Sequence, residues 1–249
     1  MSRRALLVLM ASLFALTVLL RAPAHWLTGA LPAGIECHSP AGSLWHGSCA
    51  RLRVPGATLD GVGWTLHAWP LLLGRLDVDL RSADAQASGT ARVSLGFGGL
   101  RSLRQLHATL PIDPGRLPLF PAGWTGRLEL AFDTIEFDAG RITRIEGVAT
   151  AHDLAQRNPP LDFGSYELRF EPAAQPRAAA DAPIRGALRD LGGPLSVSGT
   201  LALRNGRDYV LAGQAAARPG ASPDLARLVE YLGASDPQGR RAFTLEGSF

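Results

Sequence analysis

The chain has 249 residues, 46% of them apolar and 7% aromatic, which is enough for a folded body of one or two domains, and its formal net charge is +3. All 25 basic positions are arginine, so with no lysine anywhere a P-loop, a Schiff-base site and a kinase-type centre are excluded. The 28 Gly and 18 Pro disfavour a helix bundle, and the arginines are spaced singly apart from Arg3-Arg4 and Arg240-Arg241, which argues against nucleic acid as a partner despite a pI near 9.4.

At the N-terminus, Arg3-Arg4 precede an uncharged, mostly apolar run from Ala5 to Leu20, which Arg21 closes. As a helix of about 1.5 Å rise per residue the run reaches roughly 24 Å, short of a hydrocarbon core of ~30 Å unless Arg21 snorkels and residues 22–27 extend it. Trp26 would then sit at the interface. A cleaved signal peptide is the competing reading, because Ala22-Pro23-Ala24 has the form of an A-x-A cleavage site. Both readings place the body outside the cytoplasm. With two arginines before the run and one after it, the N-terminus is expected inside and residues 28–249 in the periplasm.

Cys37 and Cys49 are the only cysteines. In an oxidising compartment an even pair so spaced is a disulfide candidate, and two unpaired buried thiols are the alternative. The neighbouring His38 and His46 supply no C-x-x-C or H-x-x-x-H spacing for a metal.

From Ile35 onward, short alternating runs are separated by Gly, Pro and Asp, the pattern of antiparallel β structure. Leu76-Asp77-Val78-Asp79-Leu80, Leu128 to Phe132, Ile135-Glu136-Phe137 and Tyr166 to Phe170 each put apolar groups on one face and polar ones on the other, and Ile142 to Ile145 is a further run. Leu195-Ser196-Val197, Leu201 to Leu203, Tyr209 to Leu211 and Phe243 to Leu245 continue it. Asp138-Ala139-Gly140 and Asn205-Gly206 are hairpin turns. A Gly-x-apolar signature opens strands at Gly74, Gly126, Gly186, Gly199 and Gly247, and the stretch Gly61-Val62 through Pro70-Leu71 and Gly74 is echoed in order by Gly147-Val148 through Pro160-Leu161 and Gly164. The fold class is therefore mainly β, an extended, curved antiparallel sheet of repeated strand pairs in two halves, about 35–110 and 124–249. To it are added an N-terminal membrane helix (1–27) and one short C-terminal helix. That helix starts at Ser222 as N-cap and Pro223, carries Leu225, Leu228, Val229 and Leu232 as its apolar stripe, and stops at Gly233. The Pro-rich piece 110–123 reads as a linker between halves and 171–183 as a loop.

The six histidines fall into no metalloprotease pattern, there is no G-x-S-x-G elbow, and Gly96-Phe97-Gly98-Gly99 lacks the third glycine of a dinucleotide loop. Asp77 and Asp79 share a strand face, as a glycosidase pair would, but read as solvent-facing acids. Trp45, Trp64, Trp69 and Trp124 read mainly as core, with an exposed binding set as the alternative. No catalytic, metal or cofactor site is expected.

Gly42-Ser43-Leu44-Trp45-His46-Gly47, Val62-Gly63-Trp64-Thr65-Leu66 and Leu72-Leu73-Gly74-Arg75-Leu76 resemble, in order, the opening of the general secretion pathway protein N family of type II secretion systems. The resemblance continues through Pro160 to Tyr166 with Gly164 and Tyr166, and Asp190 to Leu195 with Gly192, Gly193 and Pro194. It then passes Gly199-Thr200-Leu201 and Tyr209 to Gly213, and ends at Leu245 to Phe249. It implies a single-span inner-membrane protein of Gram-negative bacteria whose periplasmic β domain assists protein export across the outer membrane. The implied partners are subunits of the inner-membrane platform. It carries no catalytic residues, and the cysteine pairing rests on the compartment argument alone. The family is also similar, at the level of fold, to periplasmic repeat-sheet proteins that handle lipid in an apolar groove, a resemblance of fold that does not fix function.

Overall fold

A computed structural model describes residues 3–29, 31, 34–54, 56–84, 86–96, 99–117, 120–171, 183–204 and 208–248. Helix α1 (Arg3–Leu20) is followed by the single turn α2 (His25–Thr28). The strands then run β1 (Glu36–Gly42), β2 (His46–Val54), β3 (Ala57–His67), β4 (Arg75–Ala83), β5 (Ser88–Gly96) and β6 (Gly99–Pro111). After a crossing segment come β7 (Trp124–Asp138), β8 (Arg141–Arg157), β9 (Pro160–Phe170), β10 (Ile184–Asp190), β11 (Leu195–Arg204) and β12 (Asp208–Ala217). Helix α3 (Pro223–Glu230) precedes the last strand, β13 (Arg241–Ser248).

All of these strands belong to one sheet whose spatial order is the chain order, each antiparallel to its predecessor. Short connections between alternating runs leave a hairpin as the nearest pairing at each step, and the meander follows. β1 and β13 remain edges, so the sheet is open. Its surface of 15792 Å² exceeds the about 10,600 Å² expected of a compact chain of 26.4 kDa.

The alternation read from the sequence sorts the two faces. Leu76, Val78 and Leu80 pack with Trp64, Leu66, Cys49 and Ala24, while Asp77 and Asp79 point the other way. Further along, Phe132, Ile145, Phe170 and Leu203 form a second cluster on the apolar side, the two phenyl rings 6.3 Å apart. On the polar side opposite charges stand directly across strands: Glu36 faces Arg53, Arg51 faces Asp60, Asp79 faces Arg92 and Glu167 faces Arg189. Register and charge pattern thus agree.

Several expectations are corrected. The helix over the N-terminal run stops at Leu20, and the chain turns at Arg21 instead of continuing to residue 27. Its 18 residues amount to about 27 Å, and among the described residues no helix is long and apolar enough to cross a membrane. The reason for the early stop is local, since Ala22, Pro23 and Ala24 are held by β-type contacts to the β1–β2 turn. In the piece read as a linker the described residues pack on the sheet: Leu110, Ile112 and Leu117 are buried with Ala87, Thr58 donates to Arg116 O at 2.9 Å, and β6 pairs directly with β7. Of the Gly-x-apolar signatures only Gly74 precedes a strand, where it ends a 3-10 turn (Trp69–Leu73) that the alternation concealed; Gly126, Gly186, Gly199 and Gly247 lie inside strands. Helix α3 begins as read, with Ser222 Oγ accepting from Leu225 N at 3.3 Å, but it ends at Glu230. Only Leu225 and Val229 are buried, against Leu161 and Leu195, while Leu228 and Leu232 face solvent. The turns at Asn205-Gly206 and most of 171–183 lie outside the described residues, although Arg204 and Asp208 are opposite each other as a hairpin requires.

Candidate interaction surfaces

The register places the chain's turns at two ends of the sheet. At one end lie the β1–β2 turn (43–45), the 3-10 turn 69–73 and the start of β6, because His46 is opposite Thr65, His67 opposite Asp77, Arg75 opposite Gly96 and Gly96 opposite Gly99. At the other lie the β4–β5 turn, residues 112–117 after β6, the β10–β11 turn and α3.

The first end is built by the motif Gly42 to Gly47. Ser43 N donates to His46 O at 2.9 Å and His46 N to Ser43 Oγ at 3.1 Å, closing the turn. Trp64 is buried and its Nε1 donates to Leu44 O at 3.0 Å, while Leu66 N donates to Trp45 O at 2.8 Å. Gly47 is required by space, since a Cβ there would overlap the Trp64 ring. Leu44 and Trp45 are half-buried against the same cluster. Into this socket comes the exit of α1: Leu44 N donates to Ala22 O at 2.8 Å, Ala24 N to Gly42 O at 3.1 Å, and Pro23 bridges to Ser43. Ala22 and Ala24 are 1% and 2% exposed, so the helix leaves the sheet from a fixed point. Behind the socket the Cys37 and Cys49 sulfurs are bonded across β1 and β2, with Cα atoms 5.6 Å apart and Cys49 buried beside Trp64. Closing so short a loop is worth about 3 kcal/mol by chain entropy.

At the far end the motif residues Gly164, Tyr166, Gly192, Gly193 and Pro194 meet. Gly164 (φ 87°) and Gly193 (φ 115°) lie back to back, so that a Cβ on Gly164 would be 2.8 Å from Gly192 O and 3.4 Å from Pro194 Cδ. Leu191 N donates to Ser165 O at 2.8 Å across this contact. Tyr166 Oη donates to Phe163 O, and burial pushes the phenol up to about 12. Asp190, the first residue of that motif, and Arg218, not singled out from the sequence, lock the turn. Asp190 accepts from Gly192 N at 3.2 Å, Val197 N at 3.0 Å and the Arg218 guanidinium, which also donates to Gly193 O and Leu195 O at 3.0 Å. Burial works to raise the Asp190 carboxyl, but the Arg218 bond and the two backbone donors outweigh it and hold it low. The signal was present in Asp190-x-Gly192-Gly193-Pro194, an Asx-type turn. Gly213 lies in mid-strand, where a Cβ would meet Gly199 and Phe243, and Tyr209, the second residue of β12, packs on the Phe132 cluster and against Gly247.

The acids Asp77 and Asp79 are not solvent-facing; their side chains are 16% and 23% exposed. Asp79 accepts from Arg92 Nε at 2.7 Å and pairs with His67 Nε2 at 2.9 Å. The Arg92 bond leads in lowering its carboxyl to about 2. Asp77 Oδ1 lies 3.3 Å from Arg75 Nε. Both acids serve ion pairs, and among the described residues no group of three His, Cys, Asp or Glu side chains gathers as a metal site. Of the tryptophans, Trp64 is buried, Trp45 and Trp124 are half-buried with Trp124 stacked on Phe163 at 4.8 Å, and Trp69 is 81% exposed.

An open meander in chain order, whose motif residues fasten its turns and the root of an apolar helix, defines an antiparallel β-meander protein. The chain belongs to the type II secretion system protein N family, whose model matches residues 33–244. It is 33% identical over 137 residues to the type II secretion system protein N of Vibrio cholerae serotype O1, an alignment covering 53% of this chain and 54% of the relative. It is 26% identical over 255 aligned positions to the protein of the same name from Aeromonas hydrophila, covering 96% and 98%. No solved structure matches. Family model and relatives alike carry the name of a type II secretion system component.

Proposed function

We propose that this chain is a non-enzymatic accessory subunit of a type II secretion system, anchored in the inner membrane by its N-terminal segment, with the β body in the periplasm, and that it assists export of folded proteins across the outer membrane. The family match over residues 33–244 carries the reading. Three features support the topology: α1 is an apolar helix behind two arginines, its exit is fixed on the sheet, and the Cys37–Cys49 bond fits an oxidising compartment. An 18-residue helix is a few ångströms short of an average bilayer, a mismatch met by local thinning or by arginine snorkelling at the ends. The partners are then platform subunits, reached through sheet edges and turns. In-membrane crosslinking from β13 or the far-end turn in cells with an assembled machine is expected to capture such subunits; capture of none refutes the assignment.

A second reading, a periplasmic lipid-binding β protein, is favoured by one observation: the sheet is open, and Leu106, Leu130, Leu168 and Leu201 are only half-buried along its apolar side. Lipid extraction and mass spectrometry of the purified full chain, after exchange into a lipid-free detergent, test it. Retention of about one phospholipid per chain favours this reading, and none excludes it.

A further inference from the structure

The end of the sheet that receives α1 is also where large apolar side chains stand in solvent. In the 3-10 turn Trp69 and Leu73 are each 81% exposed and Leu71 44%, Trp26 in α2 is 52% exposed, and Leu100 at the start of β6 is 38% exposed. The turn is held rigidly: Pro70 opens it, Leu71 N donates to Ala68 O at 3.2 Å, and Gly74 N donates back to Leu71 O at 3.0 Å. An ordered turn that presents a tryptophan and two leucines outward is not accounted for by the packing of the sheet, because Trp64 and Leu66 already fill the apolar side beside it. Beneath it lies a hollow of about 310 Å³ lined by Leu71, Gly74, Arg75, Leu76, Leu95 and Gly96.

Two further observations name the occupant. The hydrogen bonds of Ala22, which accepts from Leu44 N, and Ala24, which donates to Gly42 O, root the apolar helix on the β1–β2 turn at this same end, so whatever surrounds α1 also faces the turn. At the same end stand the exposed arginines Arg21, Arg75 and Arg101, and the acid close by, Asp77, is paired with Arg75. Tryptophan and leucine beside arginine is the composition that settles at the headgroup level of an anionic bilayer, the ring in the interface and the guanidinium on phosphate.

We propose that the 3-10 turn Trp69–Leu73, together with Trp26, is a membrane-docking rim that inserts into the anionic phospholipid leaflet from which α1 emerges, and so fixes the sheet upright on the membrane. The inference rests on the anchoring proposed above and adds a second, independent point of contact. It gives the sheet one defined orientation: α3 lies at the opposite end of β12, whose 10 residues span about 34 Å, and is held away from the lipid.

Because the two native cysteines are bonded to each other, a single added cysteine can be spin-labelled in the full chain. Variants Leu73→Cys, Leu9→Cys and Leu228→Cys, each checked for native circular dichroism, are reconstituted into vesicles of phosphatidylethanolamine and phosphatidylglycerol. Collision with oxygen and with a water-soluble nickel chelate is then measured. The rim predicts that the label at 73 resembles that at 9, rich in oxygen collisions with the nickel chelate excluded several-fold relative to position 228. A label at 73 as accessible to nickel as that at 228, with position 9 inserted, overturns the rim and leaves the anchor. Aqueous behaviour at both 9 and 73 overturns the anchor and the rim together, and insertion at 73 without insertion at 9 refutes the helix anchor and with it the rim as a second contact on the same leaflet.

Discussion

Trp64 shows how much one residue carries here. Its ring fills the space that Gly47 leaves, its Nε1 holds Leu44 O, and its neighbours Ala24 and Cys49 join the α1 exit and the disulfide to the sheet. Trp64→Ala is expected to cost about 3–5 kcal/mol through the cavity and the orphaned carbonyl, and Trp64→Phe about 1–2, read as shifts of the urea midpoint of the detergent-solubilised chain. Asp79 is a second case. Its carboxyl is lowered to about 2, so the bonds to Arg92 and His67 contribute fully above the unfolded value of about 3.9 and are lost as pH falls from there through about 2. Acid unfolding of Asp79→Asn should therefore lack part of the wild-type loss of stability between about pH 4 and pH 2. An identical acid profile for the two proteins would show that the pair contributes nothing. Neither role was legible from the residues alone, because alternation gives the face of Asp79 but not the register that puts Arg92 opposite it.

At the scale of elements, local signals set starts and turns better than ends. Asp138-Ala139-Gly140 closes β7 onto β8 with Ala139 and Gly140 both at positive φ, as the turn chemistry requires. Ser222 and Pro223 start α3 where the cap rules put it, whereas its end and its buried face follow from what lies beneath: only Leu225 and Val229 reach Leu161 and Leu195. Leu225→Ala is thus expected to destabilise by about 2–5 kcal/mol, Ser222→Ala by about 1, and Leu228→Ala by less than about 0.5. Hydrogen exchange of α3 amides in the three variants ranks them. A cost at Leu228 equal to that at Leu225 would mean the exposed stripe is covered. The 3-10 turn was hidden for a related reason: Trp-Pro-Leu-Leu-Leu reads as an apolar strand end, and only Gly74 in a left-handed conformation marks it as a closed turn.

For the molecule as a whole, every strand bonds only to its neighbours in the chain, an arrangement closer to a solenoid than to a globule. A compact chain of this length would have a radius of gyration of about 18 Å. Small-angle scattering of the detergent-solubilised chain, with the detergent contrast-matched, is expected to give a distinctly larger value, in keeping with the 15792 Å² of exposed surface. A value at 18 Å would mean the sheet curls closed in solution. The open form leaves the outer edge of β13 without a neighbouring strand among the described residues, and sets of turns at both ends, one beside the apolar helix and one far from it.

By itself the sequence determined the β class, the apolar N-terminal run, the family through its ordered motifs, and the absence of lysine chemistry, because these depend on residue identity, period-2 alternation and local turn geometry. Only the tertiary structure decided that the strands form a single open sheet in chain order, that Ala22 to Ala24 root the helix on the β1–β2 turn, that Leu110, Ile112 and Leu117 pack on the sheet, and that Trp69 stands out while Trp64 is buried. Those facts depend on register and on which distant segment covers which face, and such pairings arise between residues far apart in the chain, beyond the reach of any local pattern.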